Sequence, residues 1–180
     1  DIPKMDGTDG KQVTKFVLEG RRLLREFYLQ QHDNGGMTSR ENLFPLTLPN
    51  MAQFRTTRRI VGTTTLTDNQ HGRHVDDSVG LVADWRKPGF IWEIPYSTLV
   101  PQGVRGLLAA GRCISSEGDA WEVTRVIPAA ALTGEIAGIA ATLAVARKTT
   151  PDNITAKDVQ RVLVTKGIPY HITDVLAASV

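Results

Sequence analysis

The sequence predicts an α/β fold, which reads as α+β when this chain is considered alone, and three observations support the prediction. Apolar residues recur at helical spacing near the N-terminal end of the chain, and start and stop residues predict another helix near the C-terminal end. The middle of the chain, residues 44–94, is rich in the β-branched residues that favour strands. A short apolar run at 107–110 is then followed by a polar loop and an Ala- and Gly-rich helix, which is a strand–loop–helix order.

Length and composition indicate an ordinary globular chain. The 180 residues are 41% hydrophobic and 22% charged, which excludes a disordered or collagen-like protein. The net charge of +2 is too small to predict nucleic acid or a membrane surface as a partner. Because Cys113 is the single cysteine, no internal disulfide can form, and we expect a reducing, cytoplasmic compartment.

The first predicted element is a helix over residues 11–32, within an N-terminal helical segment assigned to 1–43. Its apolar side chains fall on one face and several arginines on the other. The stretch Asp33-Asn34-Gly35-Gly36 follows, and its residues tolerate the positive φ angles at which helices end.

Residues 44–104 are predicted to form strands. The run 56–67 is rich in threonine and other β-branched residues. Segments 79–85 and 90–96 flank Lys87-Pro88-Gly89, whose composition is typical of a hairpin turn. A polar loop, 69–77, precedes this hairpin.

Residues 105–148 carry the main functional signal. The run 107–110 is bounded by glycines and predicts a buried parallel strand. Residues 112–127 form a polar loop, and a helix is predicted to begin at Pro128. The whole stretch 126–146 is apolar enough to resemble a membrane span, but Glu135 in its middle would cost about 2.5–3.5 kcal/mol there. A helix buried inside a soluble protein is therefore preferred.

The start of this helix predicts a binding site. If Pro128 is its first residue, Ile127 is the N-cap, and isoleucine has no side-chain acceptor. The N–H groups of Ala129 and Ala130 would then lack a local partner, and with the helix dipole they would favour an anion or a polarised carbonyl. The alternative is that Thr124, water or a nearby backbone carbonyl accepts hydrogen bonds from these N–H groups.

The last segment, 149–180, is predicted to hold a helix over 155–166 and a tail. Thr155 is a suitable N-cap with Asp158 three residues later, and Gly167 is a typical stop.

Several motifs in sequence order resemble one family. They are RTTRRIVG at 55–62, IPYSTLVP at 94–101, GLLAAGRCIS at 106–115, TRV at 124–126 and GEIAG at 134–138. Together they resemble the C-terminal part of FAD-dependent oxidoreductases that have the glutathione-reductase-type flavin domain. The resemblance implies the C-terminal strand and helix of an FAD-binding domain over 105–148, and a mostly antiparallel substrate-domain sheet over 44–104.

The resemblance also implies FAD as cofactor and gives roles to individual residues. Along the ribityl and pyrophosphate part of FAD it places Gly111, Arg112 and Cys113. Near the isoalloxazine ring it places Arg125, Val126 and Ile127, and at the flavin N1–C2=O edge it places Pro128, Ala129 and Ala130. Three further residues are predicted to face a small-molecule substrate: Arg59, His71 and Arg73.

One part of the flavin domain is not found in this sequence. The Gly-rich βαβ unit with the pattern G-x-G-x-x-G has no match. We therefore expect the N-terminal flavin-binding half to lie on a separate chain or to have been removed from this one, and an oligomer is possible. The alternatives are a non-catalytic subunit or scaffold that completes a partner's fold, and a stand-alone nucleotide- or anion-binding domain.

The polar loop also contains residue types that bind metals. His71, His74, Asp76 and Asp77 lie close together in sequence, but no more distant ligand is identifiable from the sequence. We interpret the loop as solvated or as substrate-facing and assign no metal. The catalytic residue is not identified, and Cys113 is interpreted as a small buried thiol.

Overall fold

The computed structural model describes residues 5–177, which divide into two units with the boundary between Thr57 and Arg58. The first unit is built on α1, Gly10–Asp33. The Asp9 carboxylate caps this helix by accepting the Lys11 N–H at 2.9 Å. The rings of Phe16 and Phe54 pack at 4.8 Å between centroids. The predicted first helix is thus confirmed.

The second unit contains an antiparallel pair of strands. Strand β1 is Ser78–Ala83 and strand β2 is Ile91–Pro95. Val82 lies opposite Trp92, and both side chains are buried. This confirms the hairpin predicted around Lys87-Pro88-Gly89.

The run 56–67 is not the continuous strand that its composition predicts. Its N–H groups donate to segments far apart in the chain: Thr63 to Val100 O, and Leu66 to Ser115 O, each at 2.9 Å. Because the segment bonds first to one part of the chain and then to another, it forms isolated β-bridges and not the continuous hydrogen-bond ladder of a strand pair. High β propensity therefore does not yield a strand here.

The predicted parallel strand at 107–110 is also absent from the described structure. The segment is held by the Ala109 N–H, which donates to Leu99 O at 2.9 Å. Leu107 is 49% exposed, whereas the prediction required its burial. Upstream, the Gly106 N–H donates to Asp152 Oδ1 at 3.0 Å. This hydrogen bond is the largest of several that together lower the pKa of Asp152 to about 2. The physical reason for the difference is that no neighbouring strand among the described residues offers this run a parallel ladder.

Four helices complete the described part of the second unit. They are α2, Gly118–Thr124; α3, Ile127–Ala146; α4, Ala156–Lys166; and α5, Ile172–Ala177. Helices α2 and α5 were not predicted. Helix α3 packs on β1 where Gly80 faces Leu132, and a Cβ at Gly80 would lie 2.6 Å from a Leu132 methyl carbon. The core contains Leu66, Val79, Trp92, Ile94, Leu99, Ile114, Val123, Ile136, Val159 and Leu163. Over the described residues, five helices and one two-stranded antiparallel sheet confirm a mixed α/β chain, α+β as an isolated piece.

Helix α3 is buried on one face only. Its 20 residues are long and apolar enough to cross a membrane by length and composition, which is weak support because core helices of soluble proteins also qualify. Glu135 is exposed and forms an ion pair with Lys166 at 2.6 Å. The predicted burial of this helix is thus found for one stripe of residues along it. The prediction that the protein has no membrane partner stays a prediction. The buried stripe is Ala129, Thr133, Ile136, Ala140 and Ala144.

Helix α4 begins as predicted. The Thr155 hydroxyl accepts the Asp158 N–H, and the Asp158 carboxylate accepts the Thr155 N–H at 3.1 Å. Arg147, which follows α3, donates to Asp158 at 2.8 Å. This hydrogen bond holds the pKa of Asp158 well below its usual range. The same carboxylate therefore caps α4 and ties it to the end of α3.

We expect Thr155→Ala to lower the free energy of unfolding by about 1 kcal/mol, because the helix loses its N-cap acceptor. Urea unfolding followed by circular dichroism measures this change. Thr165→Ala is the control on the same helix, since Thr165 is exposed and lies outside the cap, and it should change stability by less than about 0.5 kcal/mol. Equal losses in the two variants would contradict the capping role.

Candidate functional site

A 3₁₀ turn, Gly111–Cys113, lies against the start of α3. Gly111 is buried at φ 70°, and its N–H donates to the Thr133 hydroxyl at 2.8 Å. That hydroxyl donates in turn to Ala129 O at 2.7 Å. A Cβ on Gly111 would lie 3.3 Å from the Ala130 Cβ. Glycine is required here both for the backbone conformation and for the close approach.

The start of α3 differs by one residue from the prediction. Val126, in extended conformation, is the N-cap, so Ile127 is the first helical residue and Pro128 the second. The Ala130 N–H donates to Val126 O at 2.9 Å, so the prediction that it lacks a partner is wrong. Proline fits anywhere in the first turn, which explains the shift. No side chain caps the helix, and the first-turn N–H groups of Ile127 and Ala129 precede the helical ladder.

These residues form one surface, which we call the turn–helix surface: Gly111–Cys113 together with 127–130. Within it, Ile127 is 85% exposed, and Pro128, Arg112 and Cys113 are also exposed. The exposure of Cys113 contradicts its interpretation as a buried thiol, because the turn buries Gly111 and leaves Arg112 and Cys113 at the surface. The surface thus offers a cation, a thiol and an uncapped helix start to a ligand.

The two residues that precede Ile127 lie next to this surface. Arg125 is mostly buried and forms an ion pair with Glu122 in α2, with Nε–Oε2 at 2.8 Å. Val126 is half-buried. Helix α2 also holds the turn, because the Trp121 indole N–H donates to Arg112 O at 2.8 Å. The positive charge of Arg125 is therefore balanced within the protein.

The predicted substrate-side residues lie on different segments. Arg59 donates to the Ser115 hydroxyl at 3.2 Å and pairs with Glu117 at 3.3 Å, just beyond the turn. His71 packs on Phe90 in the loop before β2, with 4.2 Å between ring centroids. Arg73 is exposed. Arg59 is thus bonded to the segment that follows the turn, whereas His71 packs on the aromatic rings of Phe90 and Trp92.

The turn–helix surface fits the cofactor that the resemblance implies. The missing Cβ at Gly111 lets the turn lie against Ala130, which places the exposed residues Arg112 and Cys113 beside the start of α3. The uncapped first turn of α3 presents the positive end of a 20-residue helix. Both features suit an anionic or electron-rich ligand.

Among the described residues, His71, His74, Asp76 and Asp77 do not form a metal-binding group of their own. Asp77 accepts hydrogen bonds from the N–H and hydroxyl of Ser97, at 3.2 and 2.6 Å. His74 lies instead beside Glu93 of β2 and His171, which precedes α5. Sequence reasoning missed this group, although a glutamate inside the apolar run of β2 was a signal, because a buried carboxylate needs partners.

We expect Gly111→Ala to destabilise the protein more than Gly103→Ala. Both glycines have positive φ, at 70° and 73°, so alanine at either position costs about 1–2 kcal/mol in backbone conformation. Only Gly111 also meets Ala130, since a Cβ at Gly103 has no described atom within 4 Å. Urea unfolding of the two variants measures the difference, and equal losses would show that the close approach contributes nothing.

Comparison with known proteins identifies the family. A family model described as FAD dependent oxidoreductase matches residues 2–163, a range that includes the whole turn–helix surface. Searches of curated proteins and of solved structures gave no significant match. The family model covers most of the 180 residues. The chain therefore belongs to the FAD-dependent oxidoreductase family, whose cofactor is FAD.

Proposed function

We propose that this chain supplies the flavin-proximal part of an FAD-dependent oxidoreductase with the glutathione-reductase-type flavin domain. The observation that carries the proposal is the contact between Gly111 and the uncapped start of α3. In this proposal Gly111–Cys113 lie along the ribityl and pyrophosphate part of FAD, and 127–130 face the N1–C2=O edge of the flavin.

Bound FAD supplies the acceptor for a hydride from a small-molecule substrate. The residues of this chain provide orientation and electrostatics. The positive end of α3 favours negative charge near Ile127 and Ala129, which raises the reduction potential of a group bound there. Arg59 is held by Ser115 and Glu117, so a substrate carboxylate would compete with Glu117 for its guanidinium. We propose His71 and Arg73 as further substrate-side residues.

The exposed face of α3 supports the proposal of a partner segment. A Cβ at Gly134 or Gly138 would have no described atom within 4 Å outside the helix's own backbone. Small residues on an exposed helix face allow another layer to pack closely. We propose that this layer belongs to the Gly-rich flavin-binding half, supplied by a separate chain or by another part of a longer protein. The lone cysteine supports a cytoplasmic location.

Flavin content tests the proposed division of the flavin domain. The chain is purified alone and after co-expression with a protein that carries the Gly-rich dinucleotide motif and is encoded beside it. We expect visible flavin absorbance only in the second preparation, together with a heteromeric mass by light scattering. A complex without flavin would favour the scaffold function, and flavin on the isolated chain would favour a stand-alone nucleotide-binding domain.

We expect Ile127→Pro to weaken flavin binding in that complex. Proline is tolerated at the first helical position, and the extended Val126 suits the residue before a proline, but the Ile127 N–H is removed. A hydrogen bond to a charged group contributes about 1.5–3 kcal/mol, so the dissociation constant should rise by about tenfold or more.

The matched control for this experiment is Ile127→Ala, which keeps the N–H and removes the exposed side chain. Flavin release is measured by fluorescence for both variants. If the proline and alanine variants retain flavin equally, the Ile127 N–H does not contact the cofactor.

A further inference from the structure

Glu93 of β2 lies between two histidines that come from distant parts of the chain. Its Oε2 atom is 2.8 Å from Nδ1 of His171 and 3.7 Å from Nδ1 of His74. One ligand atom from each of the three residues lies within 4.8 Å of the other two. The imidazole rings face one another, with centroids 4.4 Å apart and a tilt of 36°.

The Glu93 carboxylate is buried, and among the described residues no lysine or arginine is paired with it. Its side chain is 1% exposed. Its oxygens accept the N–H groups of Val75 and Ile172, each at 2.8 Å. Among residues 5–177, the ion pairs of Glu93 are with His74 and His171, and none is with a lysine or arginine. A buried carboxylate is stable when it is paired or when it binds a metal.

We propose that His74, Glu93 and His171 bind one divalent first-row transition metal ion. Two imidazole nitrogens and one carboxylate oxygen are ligands that Zn²⁺ and its neighbours accept. Metal–ligand bonds of about 2.1 Å in a tetrahedral site place ligand atoms about 3.4 Å apart. The observed separations from Glu93, 2.8 and 3.7 Å, lie on either side of that value, and the histidine ligand atoms lie within 4.8 Å of each other. Metal binding therefore requires the side chains to adjust, and the exposed His74 is the one free to move.

The surroundings hold these side chains in orientations that suit a metal. The far nitrogen of His74, Nε2, lies 3.2 Å from Asp76 Oδ1, so it can donate to this carboxylate while Nδ1 faces Glu93. Metal-bound histidines commonly have such a partner. The N–H groups of Val75 and Ile172 fix the carboxylate. Because the His74 side chain is 60% exposed, the fourth position of the ion is open to water or a substrate atom.

The bound ion joins three segments of the second unit. His74 lies before β1, Glu93 is in β2, and His171 immediately precedes α5. The ion would therefore connect the start of α5 to the sheet, through His171 and Glu93. This proposal is independent of the turn–helix surface, because the three proposed metal ligands are not among the residues of that surface.

The experiment uses the full chain, with any flavin or partner that it carries, after dialysis against EDTA. Calorimetric titration with Zn²⁺ should give one ion per chain, and His74→Gln should lower the affinity at least about tenfold. Zn²⁺ should also raise the thermal midpoint, and EDTA should reverse this. Co²⁺ should give the visible absorption of a tetrahedral site in the unsubstituted chain and lose it in the His74→Gln variant.

The matched control is His71→Gln, which alters an exposed histidine in the same loop that packs on Phe90. It should leave Zn²⁺ affinity unchanged. His171→Gln should lower the affinity as His74→Gln does; if that variant fails to fold, the exposed His74 decides the outcome alone. Absence of Zn²⁺ uptake, unchanged affinity in His74→Gln, or an equal loss in His71→Gln would overturn the proposal and leave a histidine–carboxylate hydrogen bond.

Discussion

The close approach of the Gly111 turn to α3 is the contact on which the candidate cofactor surface depends. The Thr133 hydroxyl connects the two elements, because it accepts the Gly111 N–H and donates to Ala129 O. A buried hydroxyl with both functions satisfied is a rigid connection. The first turn of α3 and the exposed residues 112–113 therefore keep a fixed relation, which a site for an extended cofactor requires.

Elements with local signals could be predicted from the sequence. Helix α1, the hairpin and the capped start of α4 each depend on residues within a few positions of one another. The segments 56–67 and 107–110 could not be predicted, because their hydrogen-bond partners lie elsewhere in the chain and the local composition favours strands. The family and its cofactor followed from motifs, whereas the exact start of α3 did not.

The group formed by His74, Glu93 and His171 could not be predicted from local sequence either. His171 and Glu93 are 78 positions apart, and only the fold brings them together. A carboxylate in an apolar strand indicated that partners must exist, but not which residues provide them. The second unit thus presents two chemically different surfaces: a helix start without a cap, and a buried carboxylate between imidazoles.

Helix α3 has opposite requirements on its two sides. Its buried stripe packs in the core of the second unit, whereas Gly134 and Gly138 each lower helix propensity by about 1 kcal/mol relative to alanine. Among the described residues, a Cβ at either position would meet no atom within 4 Å outside the helix's own backbone, so close packing does not account for these glycines. Evolution of this chain should accordingly act on Gly134 and Gly138 in one of two ways. Selection for stability of the chain by itself would replace them with alanine, whereas selection for packing against a partner would keep them.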